Sequence, residues 1–160
     1  ANFLYAPGIS VLEDARIAQS AGAVHAMHDP TEGGLATGLW ELAQAAGLGL
    51  RVEAAAVPIY PETMALCRHY GLDPWGLLAS GSLLIAAPPE DAAAICQALT
   101  AAGRPAALIG ELRPPEEGMW IEGPRGREPL RPFPRDELAR LFEGSPAGLE
   151  VPPGPGEDPQ

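Results

Sequence analysis

His25-Ala26-Met27-His28-Asp29-Pro30-Thr31-Glu32-Gly33-Gly34-Leu35 is the stretch around which the chain is organised. The run from Ala23 to Met27 is largely apolar and predicts a short strand. From Leu35 the pattern changes. Leu35, Leu39, Leu42, Ala43 and Ala46 recur at helical spacing and predict a helix over 30–46 that packs on a sheet. The stretch therefore hands a strand over to a helix. Asp29 suits an N-cap, Pro30 the first helical position and Glu32 the third position of a capping box. Gly33 and Gly34 follow at once, and each costs roughly 1 kcal/mol inside a helix relative to alanine. That cost implies that another backbone, or a phosphate, comes close to this turn.

Working upstream, Ser10-Val11-Leu12-Glu13 reads as a capping box opening a helix to about Ala21, with Gly22 as its stop. Residues 1–9 are expected to be an arm or linker left from a domain junction. Downstream, Leu48 to Glu53 alternates as a strand with one buried face. Pro61 to Tyr70 reads as a helix ended by Gly71, and Asp73-Pro74-Trp75-Gly76 as the cap of a short helical turn reaching Leu78. Ser82 to Ala87 reads as a strand buried on both faces. Pro89 to Ala102 reads as a helix closed by Gly103, and Ala106 to Leu112 as a strand. Met119 to Glu122 and Glu128 to Leu130 predict a hairpin, and Pro134 to Phe142 a short helix. Residues 143–160, rich in Gly, Pro and Glu, are expected to be a disordered tail. Residues 10–142 then form one α/β (α+β) domain, a layered mixed β-sheet covered by helices.

The 160 residues suffice for one domain with a core. The chain starts without Met, as a piece of a longer protein would. The formal net charge is −11, and all ten basic residues are arginine. That balance argues against nucleic acid or an anionic membrane as partner. It leaves room for a nucleotide held by backbone N–H groups and a metal. Cys67 and Cys96, the two cysteines, form no C-x-x-C pair and read as small helix residues. No cluster has zinc spacing, so no metal ligands are assigned. No apolar run approaches the roughly 18 residues of a membrane span, and no signal peptide is visible, so the expected location is the cytoplasm.

The run Met27-His28-Asp29-Pro30-Thr31-Glu32-Gly33-Gly34-Leu35-Ala36-Thr37-Gly38-Leu39 resembles the signature of the C-terminal domain of the AIR synthase–related superfamily. Within it the similarity is greatest to the hydrogenase expression/formation (maturation dehydratase) branch. It continues through Ile59-Tyr60-Pro61-Glu62, Gly71-Leu72-Asp73-Pro74, Ala79-Ser80-Gly81-Ser82-Leu83-Leu84 and Pro88-Pro89-Glu90-Asp91-Ala92, covering roughly residues 8 to 112. The resemblance implies a layered α/β fold with partial ferredoxin-like topology. It implies a missing N-terminal domain that carries most ligands of ATP and Mg2+ and forms a homodimer, and other hydrogenase maturation proteins as partners. The fragment alone is then expected to be inactive. Other members of the superfamily, such as thiamine-monophosphate kinase, selenophosphate synthetase and the purine-pathway cyclo-ligase, are alternatives.

The resemblance also implies that Asp29, Thr31, Glu32, Gly33 and Gly34 face an interdomain cleft. There Asp29 would orient a metal-bound water or transfer a proton, and Thr31 would donate to a phosphate oxygen. The plain alternative is a strand–helix cap whose glycines permit close packing. Maturation proteins commonly carry a basic residue where this chain has Glu32, and a carboxylate there would repel a bare triphosphate. Ser80, followed by Gly81, stands where they usually place a glutamate, and a turn entering a strand explains these residues equally well. His25 and His28 fall on opposite faces of a strand and cannot share a metal. His28, beside Asp29, is the second catalytic candidate, oriented by that carboxylate, or simply a polar strand end. If Gln160 is the natural terminus, the chain lacks the terminal cysteine that carries the substrate group in the dehydratase. A non-catalytic binding or assembly module, docking a basic partner on the acidic surface, is the reading from another class.

Overall fold

In the computed structural model, residues 8–143 are described; most of the expected arm and almost all of the expected tail lie outside them. The order is α1 (Leu12–Ala21), β1 (Ala26–His28), α2 (Gly34–Ala46), β2 (Gly49–Glu53), α3 (Pro61–Tyr70), β3 (Leu84–Ala86), α4 (Pro89–Ala101), β4 (Gly110–Arg113), β5 (Met119–Gly123), β6 (Gly126–Pro129) and α5 (Glu137–Glu143). The mixed α/β class expected from the sequence is the one observed. The strands divide into two sheets. β1 and β3 form an antiparallel pair, with Met27 opposite Ile85. The other four strands run in the order β4-β2-β5-β6. There β2 is parallel to β5 and antiparallel to β4, so that sheet is mixed.

Alternation explains β2. Leu50 and Val52 are buried at 5% and 0% exposure, while Arg51 and Glu53 face out. Helix α2 supplies the other side of the main core through Ala36, Leu39 and Ala43, joined by Leu84 and Leu130. Burying side chains of the size of Leu39, Leu50 and Val52 stabilises the fold by about 1.5–3 kcal/mol each. A second core forms where α1 packs on α4, around Ala18, Ile95 and Leu99, with Met27 and Ile85 against it. Helix α2 reaches both sheets, so it ties the cores together. No described helix is long and apolar enough to cross a membrane.

Several boundaries differ from expectation. Helix α2 starts at Gly34, and its cap is Gly33 at φ 74, without a side-chain cap bond. Asp29 therefore does not cap it, and Pro30 and Glu32 precede the helix. The reason is local: Gly33 and Gly34 both take the left-handed conformation, at φ 74 and 66, which breaks any helix started at Pro30. Helix α1 likewise lacks the capping box, being preceded by Val11 with no side-chain bond. The strand expected over 23–27 is displaced to Ala26–His28, and that over 106–112 to Gly110–Arg113, each set by pairing partners distant in sequence. Of the strand expected to be buried on both faces, only Leu84 is buried. The segment after Asp73 is a turn, not a helix; the Asp73 carboxylate accepts from Trp75 N–H at 2.9 Å.

Candidate functional site

β1 delivers the chain to residues 29–32, where Asp29, Thr31 and Glu32 are exposed and Pro30 is buried. The Thr31 carbonyl accepts Gly34 N–H at 3.1 Å and Ala79 N–H at 3.2 Å. It thereby places the segment carrying Ser80 and Gly81 beside Asp29–Glu32. Ser80 and Gly81 are exposed as well. Gly81, at φ +93, lies against Ile9, whose Cα would stand 3.2 Å from a Cβ built there. Five of the residues singled out from sequence thus line one exposed lip. Its side chains include two carboxylates, Asp29 and Glu32, and no cation.

Gly33 and Gly34 behave differently, since both are buried. A Cβ on Gly34 would stand 2.5 Å from the Trp75 carbonyl oxygen and 2.9 Å from the Gly76 carbonyl carbon. The close approach read from the two glycines is therefore made by backbone. At the N-terminus of α2 the N–H groups of Gly33, Gly34 and Ala36 already have protein partners. Gly33 N–H donates to Asp136 Oδ2 at 3.0 Å, and Ala36 N–H to the Trp75 carbonyl at 3.0 Å. A carboxylate sits where the helix dipole favours an anion, and it comes from the same chain.

His28 turns away from Asp29. Its Nε2 lies 2.8 Å from Glu41 Oε2, one turn before the end of α2, so Glu41 and not Asp29 orients the ring. Gly38 allows this crossing, because a Cβ there would stand 2.6 Å from Pro30 Cβ and 3.2 Å from His28 Cδ2. His25 is exposed, and its N–H donates to the Ala86 carbonyl at 2.8 Å. Four contributors were not found in the sequence: Glu41 beside His28, Asp136 on Gly33 N–H, Thr37, whose hydroxyl accepts Phe133 N–H at 3.0 Å, and Glu137, whose carboxylate accepts Asp73 N–H at 2.9 Å. A short helix was legible over Pro134 to Phe142, and it is observed at Glu137–Glu143, but no local signal says that Asp136 reaches a turn 103 residues away.

These residues do not fit a triphosphate or its metal by themselves. The N–H groups of Gly33, Gly34 and Ala36 are taken by the protein itself, the lip has no cation, and no group of three or more His, Cys, Asp or Glu among the described residues could hold a metal ion.

The sequence model of the family "AIR synthase related protein, C-terminal domain" matches residues 9–120. The chain belongs to this family. Among curated relatives of this AIR synthase–related domain is the carbamoyl dehydratase HypE of Rhodobacter capsulatus, 41% identical over 98 residues, which are 60% of this chain and 29% of that protein. A crystal structure of Escherichia coli HypE, a hydrogenase maturation protein, superposes with a TM-score of 0.72 at 28% identity, over 82% of this chain and 42% of that one. HypE solved in complex with ATP gives a TM-score of 0.66 at 32% identity, over 72% of this chain and 38% of that one. This AIR synthase–related chain therefore matches less than half the length of each.

Proposed function

We propose that this chain is the C-terminal part of a hydrogenase-maturation-like, ATP-dependent enzyme, in which it forms one wall of the nucleotide and substrate cleft. The observation that carries the reading is the exposed lip, where Thr31 joins Asp29–Glu32 to Ser80–Gly81. Similarity to HypE, including HypE in complex with ATP, supports the class of ligand. ATP and Mg2+ are held mainly by an N-terminal domain outside this chain. That domain also forms the homodimer, and the assembly works in the cytoplasm with other hydrogenase maturation proteins. Asp29 is the proposed proton-transfer group, and the Thr31 hydroxyl the proposed donor to an oxygen across the cleft. His28, paired with Glu41, is the lesser candidate.

The chain alone is expected to be inactive. The test compares nucleotide turnover by this chain with turnover by a version joined to its upstream domain. Asp29→Ala in the joined protein is expected to lower kcat by about 100-fold. Turnover by the isolated chain sinks the claim that it is inactive, and unchanged turnover with Asp29→Ala removes Asp29 from the chemistry. A second reading, an assembly module, is favoured by the acidic lip and the self-capped helix. It takes over if the joined protein binds no nucleotide.

A further inference from the structure

Residues 130–137 reach the turns behind the lip from the C-terminal side. Leu130, 4% exposed, anchors the upstream end in the main core, and its N–H donates to the Met119 carbonyl at 2.9 Å. Phe133 N–H donates to Thr37 Oγ1 at 3.0 Å. The Asp136 carboxylate accepts from Gly33 N–H at 3.0 Å and, through its other oxygen, from Leu138 N–H at 2.8 Å. Glu137 N–H donates to the Gly76 carbonyl at 3.0 Å, while its carboxylate accepts from Asp73 N–H at 2.9 Å. The Phe133 ring fills the space in which Gly76 would carry a Cβ. These contacts tie together two turns that are remote in sequence, at Gly33–Gly34 and at Asp73–Gly76. The residues that make them lie beyond the stretch 9–120 that matches the family.

We propose that residues 130–137 are a strap that locks the Gly33–Gly34 turn to the Asp73–Gly76 turn, and that residues 131–137 and the two turns open as one unit about the Leu130 anchor, separately from the sheet core. The strap holds mainly by hydrogen bonds. Leu130 is its one buried apolar side chain, and Phe133 is half-buried. Such a unit belongs to the low-stability end of a fold, whereas Val52, at 0% exposure, belongs to the high end. The Thr31 carbonyl, which accepts both Gly34 N–H and Ala79 N–H, connects the two halves of the lip to the turn that the strap holds. The strap is a statement about conformation and holds whether or not the lip binds a ligand.

The test is native-state amide hydrogen exchange on the full chain, under conditions where exchange reports the opening equilibrium. The amides of Gly33, Asp73, Phe133 and Glu137 are expected to share one degree of protection, at least about tenfold lower than that of Val52. Asp136→Ala is expected to lower the protection of all four by a further tenfold or so and to leave Leu50 and Val52 unchanged. Four unrelated protections in the wild type, or protection equal to that of Val52, overturn the proposal. So does an effect of Asp136→Ala on Gly33 alone, or an equal effect on the sheet. If Asp136→Ala does not fold, the wild-type comparison decides.

Discussion

The Trp75 carbonyl oxygen lies against Gly34, 2.5 Å from where a Cβ would be, and accepts Ala36 N–H at 3.0 Å. Gly34 also sits at φ +66. Gly34→Ala therefore meets two obstacles, a left-handed backbone and a backbone oxygen that is fixed by its own hydrogen bond. The expected loss is roughly 2–4 kcal/mol. Gly47 has nearly the same φ, +65, with nothing within 4 Å of its Cβ position. Gly47→Ala should cost only about 1 kcal/mol. Urea denaturation of the two variants separates the contributions, and equal losses would show that the close approach is unimportant.

Glu137 is the one buried charged residue among the described residues, 4% exposed. Arg140 Nη1 donates to both its oxygens, at 2.6 and 2.7 Å, and this holds the carboxyl below the ordinary glutamate range against the opposing effect of burial. Asp73 N–H adds to the depression. A depressed carboxyl stabilises the fold fully above the unfolded-state pKa, and the contribution is lost as pH falls through the folded-state value. Glu137→Gln should therefore destabilise the protein near neutrality, on the order of 2 kcal/mol. Over the range from about pH 7 to about 3, the gap between variant and wild type should stay constant to about pH 5 and then narrow progressively as the pH falls below the unfolded-state glutamate value of about 4.3. Thermal melts across that range check it, and a gap independent of pH would remove the charge from the explanation.

Cys67 is buried in α3 and Cys96 is half-buried in α4. Burial pushes the Cys67 thiol up, with Asp73 and Glu137 adding to the effect. Thiolate is the reactive form, so Cys67 loses on both access and ionisation. Alkylation at neutral pH should label Cys96 at least about tenfold faster than Cys67, with the difference gone in denaturant. Mass spectrometry of time-quenched samples reads the order directly. Faster labelling of Cys67 would place it in an open environment.

His28 and Glu41 are 2.8 Å apart, with side chains 32% and 50% exposed. Water competes for a pair this open, so its coupling should be small, about 0.5 kcal/mol. A double-mutant cycle with His28→Gln and Glu41→Gln measures it. Coupling above about 2 kcal/mol would indicate a desolvated dyad and raise His28 as a catalytic candidate.

What the sequence determined by itself is local in its physics. Pro61 and Gly71 bracket α3 as read, because proline presets the first turn and glycine takes the left-handed stop, here at φ +66. The alternation of Leu50 and Val52 identified β2 and its buried face, and the glycine pair announced a close approach at Gly33–Gly34. The Met27–Leu39 run, together with the later segments through Pro88–Ala92, placed the chain in its family, which the match over 9–120 bears out. The tertiary structure decided which groups make the contacts. The approach to Gly34 is by the Trp75–Leu77 backbone, the α2 N-terminus takes the Asp136 carboxylate, and His28 takes Glu41 instead of its neighbour Asp29. Side-chain chemistry states what a group can bond, but only folding brings distant donors and acceptors within hydrogen-bond range. Capping illustrates the difference: Asp29 and Ser10 have suitable chemistry for it, yet neither caps a helix here.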